Sequence, residues 1–135
     1  MRYLNCLEML NYILRTLKAD TRQAVPVHKM DTVMTSLVTV QSMLVADQIT
    51  DIVVRAKLSD ILNAVVAVEK NTVGMTSLTD TMKQELVKGV KALETSLATE
   101  AYSYYWDNEF EDTPEIRPLM RQVVSLYAES GGRIC

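Results

Sequence analysis

Apolar residues recur at intervals of three or four positions along most of the chain, which is the period of an amphipathic helix. The first run extends from Tyr3 to Lys18. Its stripe consists of Tyr3, Leu7, Leu10, Leu14 and Leu17, with Cys6, Met9 and Ile13 widening the apolar face. Pro26 lacks a backbone N–H and disfavours helical angles at Val25. We therefore predict a first helix that is followed by a connection over residues 19–29.

The stretch from Val27 to Val73 contains neither glycine nor proline and is rich in valine, threonine and isoleucine. Such residues favour strands, but the spacing of the apolar positions favours a helix. The helical stripe consists of Val33, Leu37, Val40 and Leu44, and Met30 and Met34 extend it. We predict a second helix with Asp31 as its N-terminal cap and a break near residues 46–48.

The next segment, from Ile49 to Lys70, has two apolar faces. One face consists of Ile49, Ile52, Val53 and Ala56, and the other of Val54, Leu58, Ile61, Leu62, Val65 and Val68. Either a bend near Ser59 divides the segment, with Ser59 as a cap, or one straight helix contacts different neighbours along its length. We favour the single helix and expect it to lie at the centre of the fold.

The longest regular stripe begins near Ser77 and ends at Trp106. Its apolar positions are Leu78, Met82, Leu86, Val90, Leu93, Leu97, Ala101 and Tyr104. Residues 71–74 supply a turn before it, and Thr76 or Ser77 is the expected cap. Gly89 inside this helix costs about 1 kcal/mol relative to alanine unless a neighbouring backbone passes close to it.

A final helix is predicted from the sequence Thr113-Pro114-Glu115, which supplies a cap, a proline and an acid for a first turn. Its stripe consists of Ile116, Leu119, Met120, Val123 and Tyr127, and Gly131 and Gly132 end it. We therefore expect an all-α, single-domain bundle of about five helices over residues 1–130. The third helix is expected to be central and the fourth longest, and residues 131–135 to form a short flexible tail.

The composition indicates a folded domain and limits the kinds of partner that we expect. The 135 residues are 48% hydrophobic and 23% charged, which suits one folded domain with its own core. The net charge of −3 is uneven, because the segment from Glu94 to Glu115 holds seven acids and no base. Nucleic-acid-binding surfaces are normally basic, so we expect no nucleic-acid partner. The chain has no run of about 18 uncharged apolar residues, so we expect no membrane span.

The two cysteines, Cys6 and Cys135, lie near opposite ends of the chain. The first residues lack the long apolar core of a signal peptide. We therefore expect a cytoplasmic protein with reduced thiols. Cys6 is expected to be a small buried hydrophobe, and Cys135 to be exposed on the tail.

The side chains that support catalysis or metal binding are few. His28 is the only histidine and is expected to be a surface residue of a connection. With two distant cysteines it cannot form a zinc site. The acids after Trp106 alternate as in a calcium loop, but Asp112 stands where an EF-hand has glycine and Pro118 where it has glutamate. The chain also lacks a glycine-rich phosphate loop and a nucleophile motif. We expect no enzyme, no metal and no cofactor.

The aromatic residues are concentrated in one place, since five of the eight fall between positions 102 and 110: Tyr102, Tyr104, Tyr105, Trp106 and Phe110. One interpretation is that Tyr104 and one or two neighbours close the end of the bundle. A second is that residues 102, 105 and 106 cannot all face the same core as Tyr104, so that some are exposed. Tyrosine and tryptophan beside acids are typical of protein-binding surfaces. A third is that the rings line a pocket for a small ligand.

From these patterns we expect a non-catalytic interaction or assembly module that self-associates. We name its expected binding surface the aromatic–acidic patch, which consists of Tyr102, Tyr105, Trp106, Asp107, Glu109, Phe110 and Glu111. The expected partner is a protein with a basic surface. Self-association is expected because the second and third helices are apolar in more than one direction. The alternative is a small-molecule-binding helical protein with an aromatic-lined pocket. Small helical proteins without catalytic motifs are common among viral and mobile-element accessory proteins. On this general frequency alone, a viral accessory protein is one expected origin.

Overall fold

A computed structural model describes residues 2–131. Within this range the chain forms five α helices: α1 (Leu4–Thr16), α2 (Met30–Ala46), α3 (Ile52–Asn71), α4 (Asp80–Asp107) and α5 (Arg117–Glu129). A short 3-10 helix, Val27–Lys29, leads directly into α2. The predicted all-α bundle of about five helices is confirmed, and the fourth helix is the longest with 28 residues.

Four of the helices form a ring in which α1 packs on α2, α2 on α3, α3 on α4 and α4 on α1. The fifth helix lies against α4 and α1 on the outside of this ring. α4 therefore contacts α1, α3 and α5, whereas α3 contacts α2 and α4. The third helix buries one of its two predicted apolar faces in the core, that of Val54, Leu58, Ile61, Val65 and Val68. The other face is partly open, because Ile52 is 80% exposed and Val53 is 50% exposed.

The core is a continuous apolar cluster to which every α helix contributes. Its fully buried large side chains are Leu4, Leu7, Leu10, Ile13, Leu17, Met30, Leu37, Leu44, Ile61, Leu86, Leu93 and Leu97. All of these residues except Leu4 belong to the apolar stripes predicted for the first four helices, because the helical period sets which side chains share a face. None of the helices within residues 2–131 is both long enough and apolar enough to cross a membrane.

The two connections that flank α2 and α3 pair with each other across the bundle. An antiparallel bridge joins Pro26 to Ser77. On either side of it the Val27 amide donates to the Thr76 carbonyl at 3.0 Å, and the Leu78 amide donates to the Val25 carbonyl at 2.9 Å. Residues 76–78 take part in this pairing and precede the helix. The prediction that Thr76 or Ser77 caps α4 is therefore wrong.

The N-terminal caps differ from the sequence prediction in other places too. Thr79 caps α4, and its hydroxyl accepts from the Met82 amide at 3.1 Å. Asp31 lies inside the first turn of α2 and makes no cap bond, because the 3-10 helix already supplies the preceding turn. Asp51 caps α3 by accepting from the Val54 amide at 2.9 Å, and the helix continues through Ser59 without a break. The choice of a single third helix is thus confirmed.

The last helix begins later than predicted. α5 starts at Arg117, so that Thr113 and Glu115 precede it and Pro118 falls in its first turn. A helix capped by Thr113 would place Pro118 beyond the first turn, where the missing N–H would cost a hydrogen bond. The helix ends at Glu129, and Gly131 follows with a φ of 90°. The rest of the predicted tail, residues 132–135, lies outside the described residues, as does Cys135.

Candidate interaction surface

The aromatic cluster divides into two groups on opposite sides of the C-terminal end of α4. Residues 102 and 106 are four positions apart and therefore share one side of the helix. Tyr104 and Tyr105 face the N-terminal end of α1 instead, where they pack against the core. Trp106 is exposed, whereas Tyr102, Tyr104 and Tyr105 are half-buried.

The first group is a stack of three rings that joins α4 to α5. The rings of Tyr102 and Tyr127 are almost parallel, with their centroids 3.9 Å apart and an interplanar angle of 6°. Trp106 also stacks on Tyr102, with a centroid distance of 6.1 Å and an interplanar angle of 23°. The indole of Trp106 is the outermost member and is 62% exposed. One side of the stack is therefore fixed by packing while the other is open to solvent.

The second group closes the end of the bundle. The Tyr104 ring packs on that of Tyr3 with a centroid distance of 5.7 Å, and it meets the edge of Tyr105 at 4.9 Å. The Tyr105 hydroxyl donates to the Arg2 carbonyl at 2.8 Å, and the Arg2 guanidinium lies 5.1 Å from the Tyr104 ring centre. Burial raises the pKa values of Tyr3 and Tyr105. These contacts fasten the start of α1 to α4, which agrees with the first interpretation for Tyr104.

Phe110 belongs to both the closed end and the surface. Its ring meets the edge of Tyr105 with a centroid distance of 5.7 Å and an interplanar angle of 82°. It remains 39% exposed. The chain turns between these rings because α4 ends at Asp107, and Asn108 donates from its side chain to the Tyr104 carbonyl at 2.8 Å. The loop is thereby held against the end of the helix.

The acidic side chains of this region extend into solvent. Asp107, Glu109 and Glu111 are exposed, and none of them forms an ion pair with another residue of the described chain. Asp112 differs, because its carboxylate accepts from Arg117 at 2.7 Å. This hydrogen bond lowers the pKa of Asp112. The three carboxylates that follow Trp106 thus form no ion pair within residues 2–131.

The exposed rings and acids border a shallow cleft with a volume of about 350 Å³. Its lining consists of Tyr105, Trp106, Asp107, Asn108, Glu109 and Phe110. Five of the seven residues of the aromatic–acidic patch therefore meet at one cleft. Tyr102 lies beside it in the ring stack, and Glu111 lies on the adjoining loop outside the lining.

Two residues far from the patch in the sequence contact its rings, and the sequence did not predict these contacts. Tyr127 was expected only as a stripe position of the last helix, yet its ring holds Tyr102 in place. Arg2 was not singled out, although its carbonyl receives the Tyr105 hydroxyl. Tyr127 and Arg2 are distant from the patch in the sequence. The aromatic character of Tyr127 was the one feature that could have indicated its contact, whereas a contact through the Arg2 carbonyl leaves no signal in the sequence.

Other reactive side chains do not assemble into a centre. Within residues 2–131, no group of three or more histidine, cysteine, aspartate or glutamate side chains is arranged to hold a metal ion. Cys6 is fully buried as predicted, and burial raises the pKa of its thiol to about 12. His28 lies exposed in the 3-10 helix, as expected for a surface residue of the connection.

Other concavities lie between the helices. One of about 500 Å³ separates α1 from α2, with Met9, Tyr12 and Met43 among its lining residues, and another of about 230 Å³ separates α3 from α4. A smaller one of about 140 Å³ separates α2 from α3. Comparisons of the chain with protein-family models, with curated proteins and with solved structures gave no match.

Proposed function

We propose that the protein is a non-catalytic, cytoplasmic interaction or assembly module that binds a protein partner through the aromatic–acidic patch and also self-associates. The observation that carries the proposal is the position of Trp106. The chain's only tryptophan is 62% exposed, yet it is held in place by stacking on Tyr102. A large ring that is fixed before binding loses little conformational entropy when a partner covers it.

The chemistry of the patch points to a basic partner. Tryptophan is among the residues that dominate protein–protein binding energy when a partner desolvates it. Asp107 and Glu109 line the cleft with the indole, Glu111 lies on the adjoining loop, and none of the three forms an ion pair within the described residues. Arginine fits both features, because its guanidinium stacks on aromatic faces and forms paired hydrogen bonds with carboxylates. A segment rich in arginine or lysine would therefore complement the cleft.

Selection of a random peptide library on the immobilised full chain tests this proposal. We expect the recovered peptides to be enriched in arginine and lysine, and their binding to weaken as salt is raised. Trp106→Ala should weaken the binding of these peptides by at least about tenfold, which is the scale of a central interface residue. Replacing Glu109 and Glu111 by glutamine should weaken it as well.

Tyr12→Ala is the matched control, because Tyr12 is an aromatic residue that is 44% exposed on α1, away from the patch. It should leave peptide binding unchanged. Enrichment of neutral or acidic peptides would contradict a basic partner. Equal binding to the wild type and to Trp106→Ala would contradict the patch itself.

The alternative function is the binding of a small molecule. The cleft of about 350 Å³ with three aromatic walls favours it, since ligand pockets typically begin at about 300 Å³. All six lining residues are consecutive, however, so the cleft is bordered by one helix end and its loop only. A metabolite library screened by thermal unfolding separates the two functions. A ligand that raises Tm in the wild type but not in Trp106→Ala would favour the alternative.

A further inference from the structure

The outer face of α2 and α3 is the second unusual surface of the molecule. The groove between these helices is lined by Gln41, Leu44, Arg55, Leu58, Ser59 and Leu62. Leu44 and Leu58 are buried and Leu62 is half-buried, so that leucines form its floor. The rim follows from helical spacing. Val38 and Val45 lie three and four positions from Gln41, and therefore on the same side of α2.

The rim on α3 is equally apolar. Ile52 lies three positions before Arg55, and Val66 lies four positions after Leu62, so both flank the groove. The four rim residues are all exposed, at 47% for Val38, 60% for Val45, 80% for Ile52 and 40% for Val66. Apolar side chains thus border the groove along its length. We name this surface the α2–α3 face.

The α2–α3 face carries few charged residues. The sequence from Thr32 to Ala46 contains no charged residue, so α2 contributes none beyond its first turn. On α3, Lys57 and Asp60 line the opposite groove, next to α4. Arg55 and Glu69 lie on the same side of α3 as Leu62 and Val66, so this side carries one charge of each sign. The Arg55 guanidinium donates to the Ile49 carbonyl at 3.2 Å. Solvent-facing helices normally carry charged residues, so this arrangement indicates a surface that another molecule covers.

We infer that the α2–α3 face binds the same face of a second copy of this chain, an inference that rests on the self-association proposed above. A two-fold interface brings identical residues together, so it tolerates little charge of one sign. This face meets that condition although the chain carries a net charge of −3. In such a dimer, α2 and α3 of one copy pack on α2 and α3 of the other, which is the same kind of helix packing that forms the bundle.

The dimensions and the position of Arg55 agree with this occupant. A face two helices wide and about 25 Å long covers on the order of 500 Å² per copy. Two copies together then bury on the order of 1,000 Å², which is the lower limit of a specific interface. Arg55 lies one turn from Ser59 at the middle of α3. With a two-fold axis near Ser59, the two Arg55 backbone positions would lie roughly 12 Å apart along the helices, beyond the screening length in physiological salt.

Sedimentation equilibrium of the full chain tests the inference. The wild type should show twice the protomer mass of 15.2 kDa. Ile52→Asp places a charge at the first position of α3, where a helix tolerates an acid, and should raise the dimer dissociation constant by at least about tenfold. Val45→Lys places a base in the last turn of α2 and should act in the same way. Circular dichroism checks that both variants retain the wild-type helix content.

Val124→Lys is the matched control, because Val124 is an exposed valine of α5, outside the α2–α3 face. It should leave the dimer intact, as should Trp106→Ala. A monomeric wild type would overturn the self-association together with this face. A dimer that persists in Ile52→Asp and in Val45→Lys would overturn the face alone. If one of these variants unfolds, the result of the other decides. A dimer that only Trp106→Ala dissociates would move the interface to the aromatic–acidic patch.

Discussion

Lys83 is a buried lysine whose role is to hold a connection rather than to carry charge at the surface. Its side chain is 2% exposed, and its ammonium donates to the carbonyls of Thr21 and Gln23 at 2.7 and 2.9 Å. The connection between α1 and α2 is thereby attached to α4. The helical stripes do not predict this, because a lysine at such a position normally lies in solvent.

Replacing Lys83 by methionine removes both hydrogen bonds but keeps an apolar chain of similar length. Hydrogen bonds to charged groups contribute more than neutral ones, so we expect Lys83→Met to lower the free energy of unfolding by about 2 kcal/mol. Urea denaturation measures the change. Lys88→Met, at an exposed position of the same helix, is the control and should change stability by less than about 0.5 kcal/mol. Similar small losses in both variants would contradict the role given to Lys83.

Glu94 is a buried carboxyl group within a polar contact between three helices. It accepts a hydrogen bond from Gln122 of α5, and the Gln122 amide also exchanges hydrogen bonds with Asn11 of α1 at 2.8 and 2.9 Å. Burial raises the pKa of Glu94 above its ordinary value of 4.5, and the hydrogen bond from Gln122 opposes the shift in part. The folded protein therefore holds this proton more tightly than the unfolded chain does.

This raised pKa makes Glu94 lower stability as pH increases. Below pH 4.5 the carboxyl is protonated in both states. As pH rises the unfolded chain releases the proton first, so the free energy of unfolding falls until the folded pKa is passed. We expect Glu94→Gln, which stays neutral, to gain stability relative to the wild type between about pH 4 and about pH 7. Urea denaturation at the two values measures this gain.

Gln122→Met should have the opposite effect on the pH dependence, because it raises the pKa of Glu94 further. It removes the donor that opposes the pKa shift of Glu94, so stability should fall more steeply with pH than in the wild type. A constant difference between Glu94→Gln and the wild type at both pH values would contradict the assignment. The half-buried Glu100, whose pKa is also raised by burial, is present in all three proteins. Its contribution therefore cancels in the comparison.

At the scale of helices, Gly89 determines how closely α4 approaches α3. A Cβ at this position would lie 2.8 Å from Cδ1 of Ile61, which is buried in α3. From the sequence we expected that a neighbouring backbone close to Gly89 could explain a glycine inside a long helix. In the structure the close neighbour is the side chain of Ile61 instead.

A double-mutant cycle tests this contact. Gly89→Ala gains about 1 kcal/mol of helix propensity but meets the Ile61 methyl group, and such overpacking costs about 1–3 kcal/mol. Ile61→Val removes Cδ1, so the nearest remaining atoms lie at an ordinary 3.6 Å. We expect Gly89→Ala to be more favourable by about 1 kcal/mol in the Ile61→Val background than in the wild type, as measured by urea denaturation. Equal effects in both backgrounds would show that the contact does not limit packing.

The helices themselves could be predicted from sequence, but their ends and neighbours could not. A stripe such as Leu86, Val90, Leu93 and Leu97 depends only on the local period, which the sequence contains. The cap at Thr79 depends on pairing between two connections far apart in the chain. Likewise, Ile52 and Val53 have the same apolar character as the buried residues of α3. Only the arrangement of neighbouring helices shows that they face outwards.

The same distinction holds for the candidate site. The concentration of rings and acids between residues 102 and 112 is local, so the position of the patch follows from the sequence alone. The division of the rings is not local, because it depends on Tyr127 of α5 and on Tyr3 beside α1. The rings of this segment therefore occupy two different environments. Tyr104 closes the bundle, while Trp106 remains at the surface.

At the scale of the whole molecule, the two proposed surfaces share no residue. The aromatic–acidic patch lies at the C-terminal end of α4 beside α5, and the α2–α3 face belongs to the opposite edge of the four-helix ring. Occupation of one therefore leaves the other accessible. A dimer formed through α2 and α3 would carry two aromatic–acidic patches, and a partner with repeated basic segments would bind it with increased avidity.

The central claim is that a partner covers Trp106, and the emission of this residue tests it most directly because the chain has no other tryptophan. In the free protein, acrylamide should quench the emission efficiently, since the indole is 62% exposed. On saturation with a selected arginine- and lysine-rich peptide, we expect a shift to shorter wavelength and a fall of about twofold in the quenching constant. A peptide that binds while the wavelength and the quenching stay unchanged would contradict the claim.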